Sequence, residues 1–172
     1  MSILIERSTL EKAGGYWHAL GTIARERSYL LTTVVPEFAV TWNFISEVIE
    51  KGWSQYFALS DGDVVGWCDI CREEMDGLTH SGHLGMGVIP GFRGQGLGRK
   101  LLGATMADAL SGGLERIELE VFASNQPAIN LYESAGFQEE GRKRRGRLID
   151  GKYEDIVMMS HLATSAALSS RQ

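Results

Sequence analysis

The sequence predicts an α/β fold, a mixed central sheet of about six to seven strands with flanking helices, and three observations carry this reading. Short apolar runs alternate with stretches whose apolar residues recur at helical spacing. A glycine-rich segment, Val88 to Gly98, stands between one such run and a helical stretch. Two Asp-Gly steps, Asp61-Gly62 and Asp150-Gly151, each separate two strand-like runs, as hairpin turns do.

Ile3-Leu4-Ile5 is a short apolar strand, and Trp17, Leu20, Ile23 and Ala24 predict a helix over Tyr16 to Tyr29. Phe38, Trp42, Ile45, Val48 and Ile49 predict a second helix, stopped by Gly52. Tyr56 to Leu59 and Val64 to Trp67 flank Asp61-Gly62-Asp63 and should pair as an antiparallel hairpin. A strand from His83 to Val88 follows the Asp76-Gly77 turn. Leu101, Leu102, Thr105, Met106 and Ala109 give an amphipathic helix over Arg99 to Leu110, stopped by Gly112-Gly113. Arg116 to Phe122 alternates apolar and charged residues as a strand with unlike faces would, and the crossover helix before it implies parallel pairing. Pro127 opens a short helix closed by Gly136, and Phe137 to Ile149 with Lys152 to Met159 form the last hairpin. Residues 1–162 are read as one domain and Ala163 to Gln172, small and patternless, as a frayed tail.

At 172 residues, with 44% hydrophobic and 23% charged, the chain suits one globular domain with a real core. A formal net charge of -5 argues against nucleic acid as a partner, so an anionic cofactor must be caught locally. No apolar run is long enough to span a bilayer and the N-terminus lacks a signal peptide's order, so a cytoplasmic location is expected. Homodimer formation is compatible with all of this. Cys68 and Cys71, followed by His80 and His83, superficially resemble zinc ligands. The spacing is poor, and residues three apart on a strand point to opposite faces, so no metal is expected.

The segment Val88-Ile89-Pro90-Gly91-Phe92-Arg93-Gly94-Gln95-Gly96-Leu97-Gly98 hands a strand to a helix. Its glycines can turn several backbone N–H groups toward one point, and the helix start adds partial positive charge, which suits a pyrophosphate. No Lys-Ser/Thr follows Gly96 as in a Walker loop, and the spacing is not that of a dinucleotide fingerprint.

Arg93, Gly96 and Gly98 at Arg-x-x-Gly-x-Gly spacing, with Asn125-x-x-Ala128-Ile129-x-Leu131-Tyr132-x-x-x-Gly136-Phe137 downstream, resemble the two signatures of the GNAT superfamily of acetyl-CoA-dependent N-acetyltransferases. The resemblance extends from about Ile3 to His161 and implies a parallel strand pair that splays, with acetyl-CoA as cosubstrate. By that resemblance Val88 and Ile89 offer backbone groups to pantetheine, Arg93, Gly94, Gln95, Gly96, Leu97, Gly98 and Arg99 hold the pyrophosphate, and Asn125 hydrogen-bonds the pantetheine arm. Asn125 also reads as a helix N-cap. Tyr132 matches the family's general acid, and a phenol with an ordinary pKa of about 10 can donate at neutral pH. Leu119-Glu120-Val121 resembles the ribosomal-protein alanine acetyltransferases, in which the glutamate matching Glu120 is the base. An outward-facing Glu120 on an alternating strand and a base role for His83 stay open. The implied reaction is direct transfer of acetyl to a primary amine of a small amino compound or amino acid. A protein amino terminus, and a non-catalytic acyl-CoA-binding module, are the alternatives. The basic run Arg142 to Arg147 reads as a solvated hairpin face.

Overall fold

The computed structural model describes residues 3–164. In chain order the elements are β1 (Ile3–Arg7), a short 3-10 turn (Leu10–Lys12), α1 (Ala13–Ala24), α2 (Phe38–Glu50), β2 (Ser54–Ser60), β3 (Asp63–Arg72), β4 (Ser81–Val88), α3 (Leu97–Ser111), β5 (Arg116–Phe122), α4 (Gln126–Ser134), β6 (Gln138–Ile149) and β7 (Lys152–Leu162). The strands form one seven-stranded mixed sheet in the order β1-β2-β3-β4-β5-β7-β6. Its parallel pair is the one expected across the crossover helix. Ser81 pairs with Arg116 and His83 with Glu118, a register confined to the start of β4, which continues to Val88.

The glycines act at the places where the chain must turn back. Asp61 and Gly62 have φ of 51° and 93°, and Asp150 and Gly151 have 49° and 74°. Two successive left-handed residues match the twist of the flanking strands, which is why both Asp-Gly steps close hairpins. Three helices end in one motif, with glycine as the left-handed residue just past the last turn. At α2, Gly52 N–H donates to Ile49 O and Trp53 N–H to Val48 O; at α3, Gly113 and Leu114 donate to Leu110 and Ala109; at α4, Gly136 and Phe137 donate to Glu133 and Tyr132.

Two compact units are distinguishable. One takes in the chain up to Cys71 with Gly85–Asp108, the other Arg72–Leu84 and the chain from Ala109 onward. In the first, Tyr16 stacks on Phe57 at 5.4 Å between centroids and meets Trp67 edge-on at 5.2 Å. Ala13, Ala19, Ile23, Ile45, Leu59 and Val64 complete that cluster. A fully buried aromatic or aliphatic side chain stabilises by about 1.5–3 kcal/mol, so this cluster is a large contributor to the unit's stability. Trp67 occupies the volume over β4: a Cβ on Gly87 would lie 2.5 Å from its ring. On the opposite face of β3, Gly66 admits Leu101 of α3, and Thr105 Oγ1 donates to Cys68 O at 3.4 Å. In the second unit β5 pairs along its whole length with β7 and buries Ile117, Leu119 and Val121. The basic run lies on β6, where Arg142 pairs with Glu139, Lys143 with Glu120 and Arg147 with Glu154.

Several bounds differ from the sequence reading, α3 starting at Leu97, β3 running on to Arg72 and β7 to Leu162 among them. The first helix spans Ala13–Ala24, not Tyr16 to Tyr29. It begins early because the 3-10 turn feeds into it, and it ends early because Arg27 takes a φ of 56°, which no helix continues through. Strand β4 opens at Ser81, two residues before His83. Pro127 is the second residue of α4, Gln126 being the first. Of the expected tail, Ala163 donates its N–H to Glu115 O at 2.8 Å, and residues 165–172 lie outside the described residues. Among the described residues no helix is long and apolar enough to cross a membrane, and no group of three or more His, Cys, Asp or Glu is placed to hold a metal.

Candidate active site

The glycine segment of the first unit leaves β3 late. Ile89 N–H still donates to Val65 O at 3.0 Å, so pairing with β3 outlasts β4 itself. The chain then turns with Phe92 N–H on Ile89 O at 3.3 Å, and Gln95 Nε2 spans the loop to Gly91 O at 2.7 Å. Gly91, Gly94 and Gly96 have φ of 86°, 71° and 76°. A side chain there is strained by about 1–2 kcal/mol, which accounts for glycine at each.

Lys100 N–H donates to Gly96 O at 3.2 Å and opens the ladder of α3. The N–H groups of Leu97 and Gly98 precede that bond in the first turn of α3, and the positive end of the helix dipole lies there. Leu97 is 5% exposed and anchors the helix start in the core, while Gly94, Gln95 and Gly96 are exposed. A Cβ on Gly94 or Gly96 would meet no atom within 4 Å, so the space over these two residues is open.

Arg93 braces the loop from within. Its Nε donates to Val88 O at 2.7 Å, its two terminal nitrogens reach both carboxylate oxygens of Glu26, one at 2.8 Å, and its guanidinium lies 4.6 Å from the Tyr29 ring centroid. Hydrogen bonding to Glu26 raises the arginine's pKa further. Of the backbone groups expected to face pantetheine, the Ile89 N–H is engaged with β3 and the Val88 carbonyl accepts from Arg93. Glu26 was not found from sequence: it lies 67 residues from Arg93, just past α1, with no local pattern to mark it.

The second unit holds Glu120, Asn125 and Tyr132. Asn125 caps α4, its Oδ1 accepting from Ala128 N at 3.3 Å. Tyr132 is 7% exposed, and its ring lies 5.8 Å from that of Phe137. The Asn125, Tyr132, Gly136 and Phe137 signature therefore has a local cause: N-cap, third-last helical residue, left-handed stop, and the residue whose N–H returns to the Tyr132 carbonyl with its ring against the tyrosine's. Glu120, near the end of β5, is paired with Lys143 of β6. His83 is exposed on β4 opposite Glu118. Cys68 and Cys71 lie on β3, and burial pushes both thiols up, so neither is a ready nucleophile.

Comparison with known proteins bears on this arrangement. The acetyltransferase (GNAT) family model matches residues 27–137. Over 113 residues, 64% of this chain and 69% of the relative, the chain is 33% identical to the L-amino acid N-acetyltransferase AaaT of Escherichia coli (strain K12). Over 95 residues it is 37% identical to the N-alpha-acetyltransferase RimI of Mycobacterium tuberculosis, covering 55% of this chain and 58% of that one. The structure of yncA from Salmonella typhimurium, solved with its cofactor acetyl-CoA, superposes with a TM-score of 0.87 at 18% identity, over 96% of this chain and 99% of its own. With the family model matched over well more than half its length, the chain belongs to the acetyltransferase (GNAT) family of N-acetyltransferase enzymes.

Proposed function

We propose that the protein transfers acetyl from acetyl-CoA directly to the primary amine of an amino acid or small amino compound, within one catalytic domain spanning residues 1–162. The observation that carries it is the loop, with left-handed Gly94 and Gly96, open space above them and the first N–H groups of α3 beside it. In this reading Gly94 to Arg99 receive the pyrophosphate, Val88, Ile89 and Asn125 receive the pantetheine arm, and Arg93 holds the loop in shape.

Transfer to an amine needs the amine neutral when it attacks and a proton for the departing thiolate. Glu120 takes the amine proton, through the oxygen that Lys143 leaves or by exchange with it, and Tyr132 donates to the thiolate. Burial keeps both cysteine thiols protonated, which supports transfer without an acyl-enzyme. The similarity to an L-amino acid N-acetyltransferase favours a free amino acid as acceptor. A protein amino terminus is the second reading, favoured by the similarity to an N-alpha-acetyltransferase, and polyamines rank third. A cytoplasmic location and a homodimer belong to the same proposal, and cell fractionation and light scattering check them.

The deciding experiment is a thiol-release screen with acetyl-CoA against amino acids, amino-terminal peptides, polyamines and aminoglycosides at matched concentration. Release with amino acids supports the first reading, and release only with peptides supports the second. Calorimetric binding of acetyl-CoA without release on any amine overturns both in favour of a binding module.

A further inference from the structure

Near its end β6 buries an arginine and exposes a leucine. Arg147 is 7% exposed and its neighbour Leu148 is 59% exposed, the reverse of what packing alone selects. The cause is a bulge. Lys143 pairs with Ile156 and Arg147 with Glu154, so Arg144, Arg145 and Gly146 lie opposite Asp155 alone. Arg145 takes a left-handed φ of 53° with its N–H on Asp155 Oδ1 at 2.8 Å, and a Cβ on Gly146 would lie 2.9 Å from the Ile156 side chain. Extra residues of this kind re-aim the side chain that follows them, which here is Arg147.

Two groups meet Arg147. Its guanidinium lies 4.2 Å from the ring centroid of Phe122, the last residue of β5, and its Nη1 donates to Glu154 Oε2 at 3.4 Å. The other oxygen of Glu154 is directed at the turn between β5 and α4. Glu154 Oε1 accepts from the Ser124 N–H at 3.3 Å and from the Ser124 hydroxyl. A guanidinium so withdrawn from water is tolerated when it is paired, and its partner is the carboxylate that grips this turn.

The backbone of the turn accounts for every donor but one. Ala123 N–H donates to Asp155 O, Asn125 N–H to Phe122 O and Gln126 N–H to Ser124 O, and Pro127 has none. The Ser124 N–H is the one that goes to Glu154. Asn125, at φ −84° and ψ 61°, is the centre of an inverse γ-turn closed by the Gln126 bond. Its Oδ1 accepts from Ala128 N as the cap of α4, so the group it can offer a ligand is the Nδ2 donor. Ser124 is exposed, and water would satisfy its N–H as well as a carboxylate does. What a carboxylate backed by a buried arginine adds is a fixed place for the residue before Asn125.

Resting on the assignment of Asn125 to the pantetheine arm, we propose that Glu154 is a positioning residue for acetyl-CoA binding, with Arg147 and the β6 bulge behind it. Its carboxylate fixes Ser124, and through Ser124 the direction of the Asn125 Nδ2 donor, before the cofactor arrives, so less ordering is needed on binding. In this role Glu154 needs no contact with cofactor or acceptor, and the proton transfers assigned above stay with Glu120 and Tyr132.

The test is a double-mutant cycle read by calorimetric titration of acetyl-CoA and of ADP, which carries a pyrophosphate without the pantetheine arm. Glu154→Ala should weaken acetyl-CoA binding by about fivefold to tenfold, as misdirecting one hydrogen bond predicts, with ADP affinity within about twofold of wild type. Glu154→Gln keeps an acceptor for Ser124 without the pairing to Arg147, and Arg147→Met removes that pairing from the other side; each should lose about threefold. Asn125→Asp keeps the cap acceptor and removes the Nδ2 donor. Adding Glu154→Ala to Asn125→Asp should change acetyl-CoA affinity by less than about twofold, because the two act through one bond. Thermal unfolding establishes that each variant is folded, and Glu154→Gln carries the same cycle if Glu154→Ala is not. Additive losses in the cycle, an equal loss of ADP affinity, or wild-type acetyl-CoA affinity in the Glu154 variants overturns the proposal. Full acetyl-CoA affinity in Asn125→Asp also overturns it, and thiol release by that variant would keep the transferase reading. A wild type that binds acetyl-CoA in a Glu154-dependent way yet releases no thiol with any amine overturns the transferase reading and supports the positioning role.

Discussion

Arg93 donates to both carboxylate oxygens of Glu26 and, through Nε, to the carbonyl of Val88, so one side chain ties the end of β4 and the start of the glycine loop to the segment after α1. The fork geometry matters more than the charge, because a lysine ammonium cannot make three such bonds at fixed angles. Arg93→Lys and Glu26→Gln should each weaken acetyl-CoA binding by about fivefold to tenfold at a stability cost of about 1 kcal/mol, the modest figure reflecting a partly exposed pair. Calorimetry with acetyl-CoA checks this. Full affinity in both variants would show that the loop holds its shape without the pair.

Gly96→Val is expected to abolish acetyl-CoA binding, a loss of about a hundredfold or more, while the fold persists. The position needs a φ of 76°, and the open space over it is the space assigned to phosphate. Gly91→Asn is the companion, since its φ of 86° is also left-handed, asparagine tolerates that region, and it lies away from the helix start. Its affinity should change less than about threefold. Circular dichroism establishes folding for both, and equal effects at Gly91 and Gly96 would remove the pyrophosphate from the loop.

Tyr132→Phe should lower turnover by roughly 10²-fold with little change in acetyl-CoA affinity or stability. The helix stop at α4 uses the Tyr132 backbone carbonyl, and a phenylalanine keeps the ring contact with Phe137 at 5.8 Å, so only the hydroxyl is lost. Tyr132→Ala should instead cost about 3 kcal/mol of stability by opening a core void. Wild-type turnover in Tyr132→Phe, with an acceptor whose chemical step limits the rate, would leave the tyrosine a packing residue.

Glu120→Gln should lose activity mainly at lower pH, where the acceptor amine is protonated and most needs a base, and recover in part as pH rises. Lys143→Ala removes the partner of Glu120 at a half-exposed site and should change turnover less than about threefold. A pH–rate profile of Glu120→Gln parallel to wild type would shift the role to His83 or to water.

What was legible in the sequence is what depends on short-range geometry. Asp61-Gly62 and Asp150-Gly151 announce hairpins because two adjacent left-handed residues are needed there, and Gly52, Gly113 and Gly136 announce helix ends for the related reason. The loop from Gly91 to Gly98 was legible on the same ground. The end of α1 was not, because apolar and aromatic residues continue to Tyr29 at tolerable spacing while Arg27 turns the chain out of the helix. Contacts set by strand register and chain return were also invisible. Arg93 meets Glu26 across 67 residues, and Asp69 faces Gly85 only because of how β3 and β4 lie together. Asp69 reads in the sequence as one polar residue between Cys68 and Ile70, and only the fold shows it buried without a cation.

That burial has a sign that can be measured. The Asp69 pKa is raised from 3.8 to about 7, first by desolvation, so the folded state holds its proton more tightly than the unfolded chain does. Below about pH 4 both states are protonated and no penalty exists; as pH rises from about 4 to about 7 the unfolded chain ionises first and stability is lost, levelling off above the folded value. At about 1.4 kcal/mol for each pKa unit, the loss is on the order of a few kcal/mol. Asp69→Asn cannot ionise, so its melting temperature should exceed that of wild type by about 5 °C or more at pH 8, with the gap closing toward pH 4. Other groups drop out of the comparison because both proteins share them, including Glu140, whose carboxyl Arg116 holds down near 2 and whose contribution runs the opposite way, lost as pH falls. Thermal unfolding of the two proteins across pH 4 to 8 checks the prediction. Parallel curves would mean that Asp69 does not titrate in this window. A gap that opens with pH and closes toward pH 4 would show that desolvation on β3, not a charged partner, sets the protonation state of Asp69.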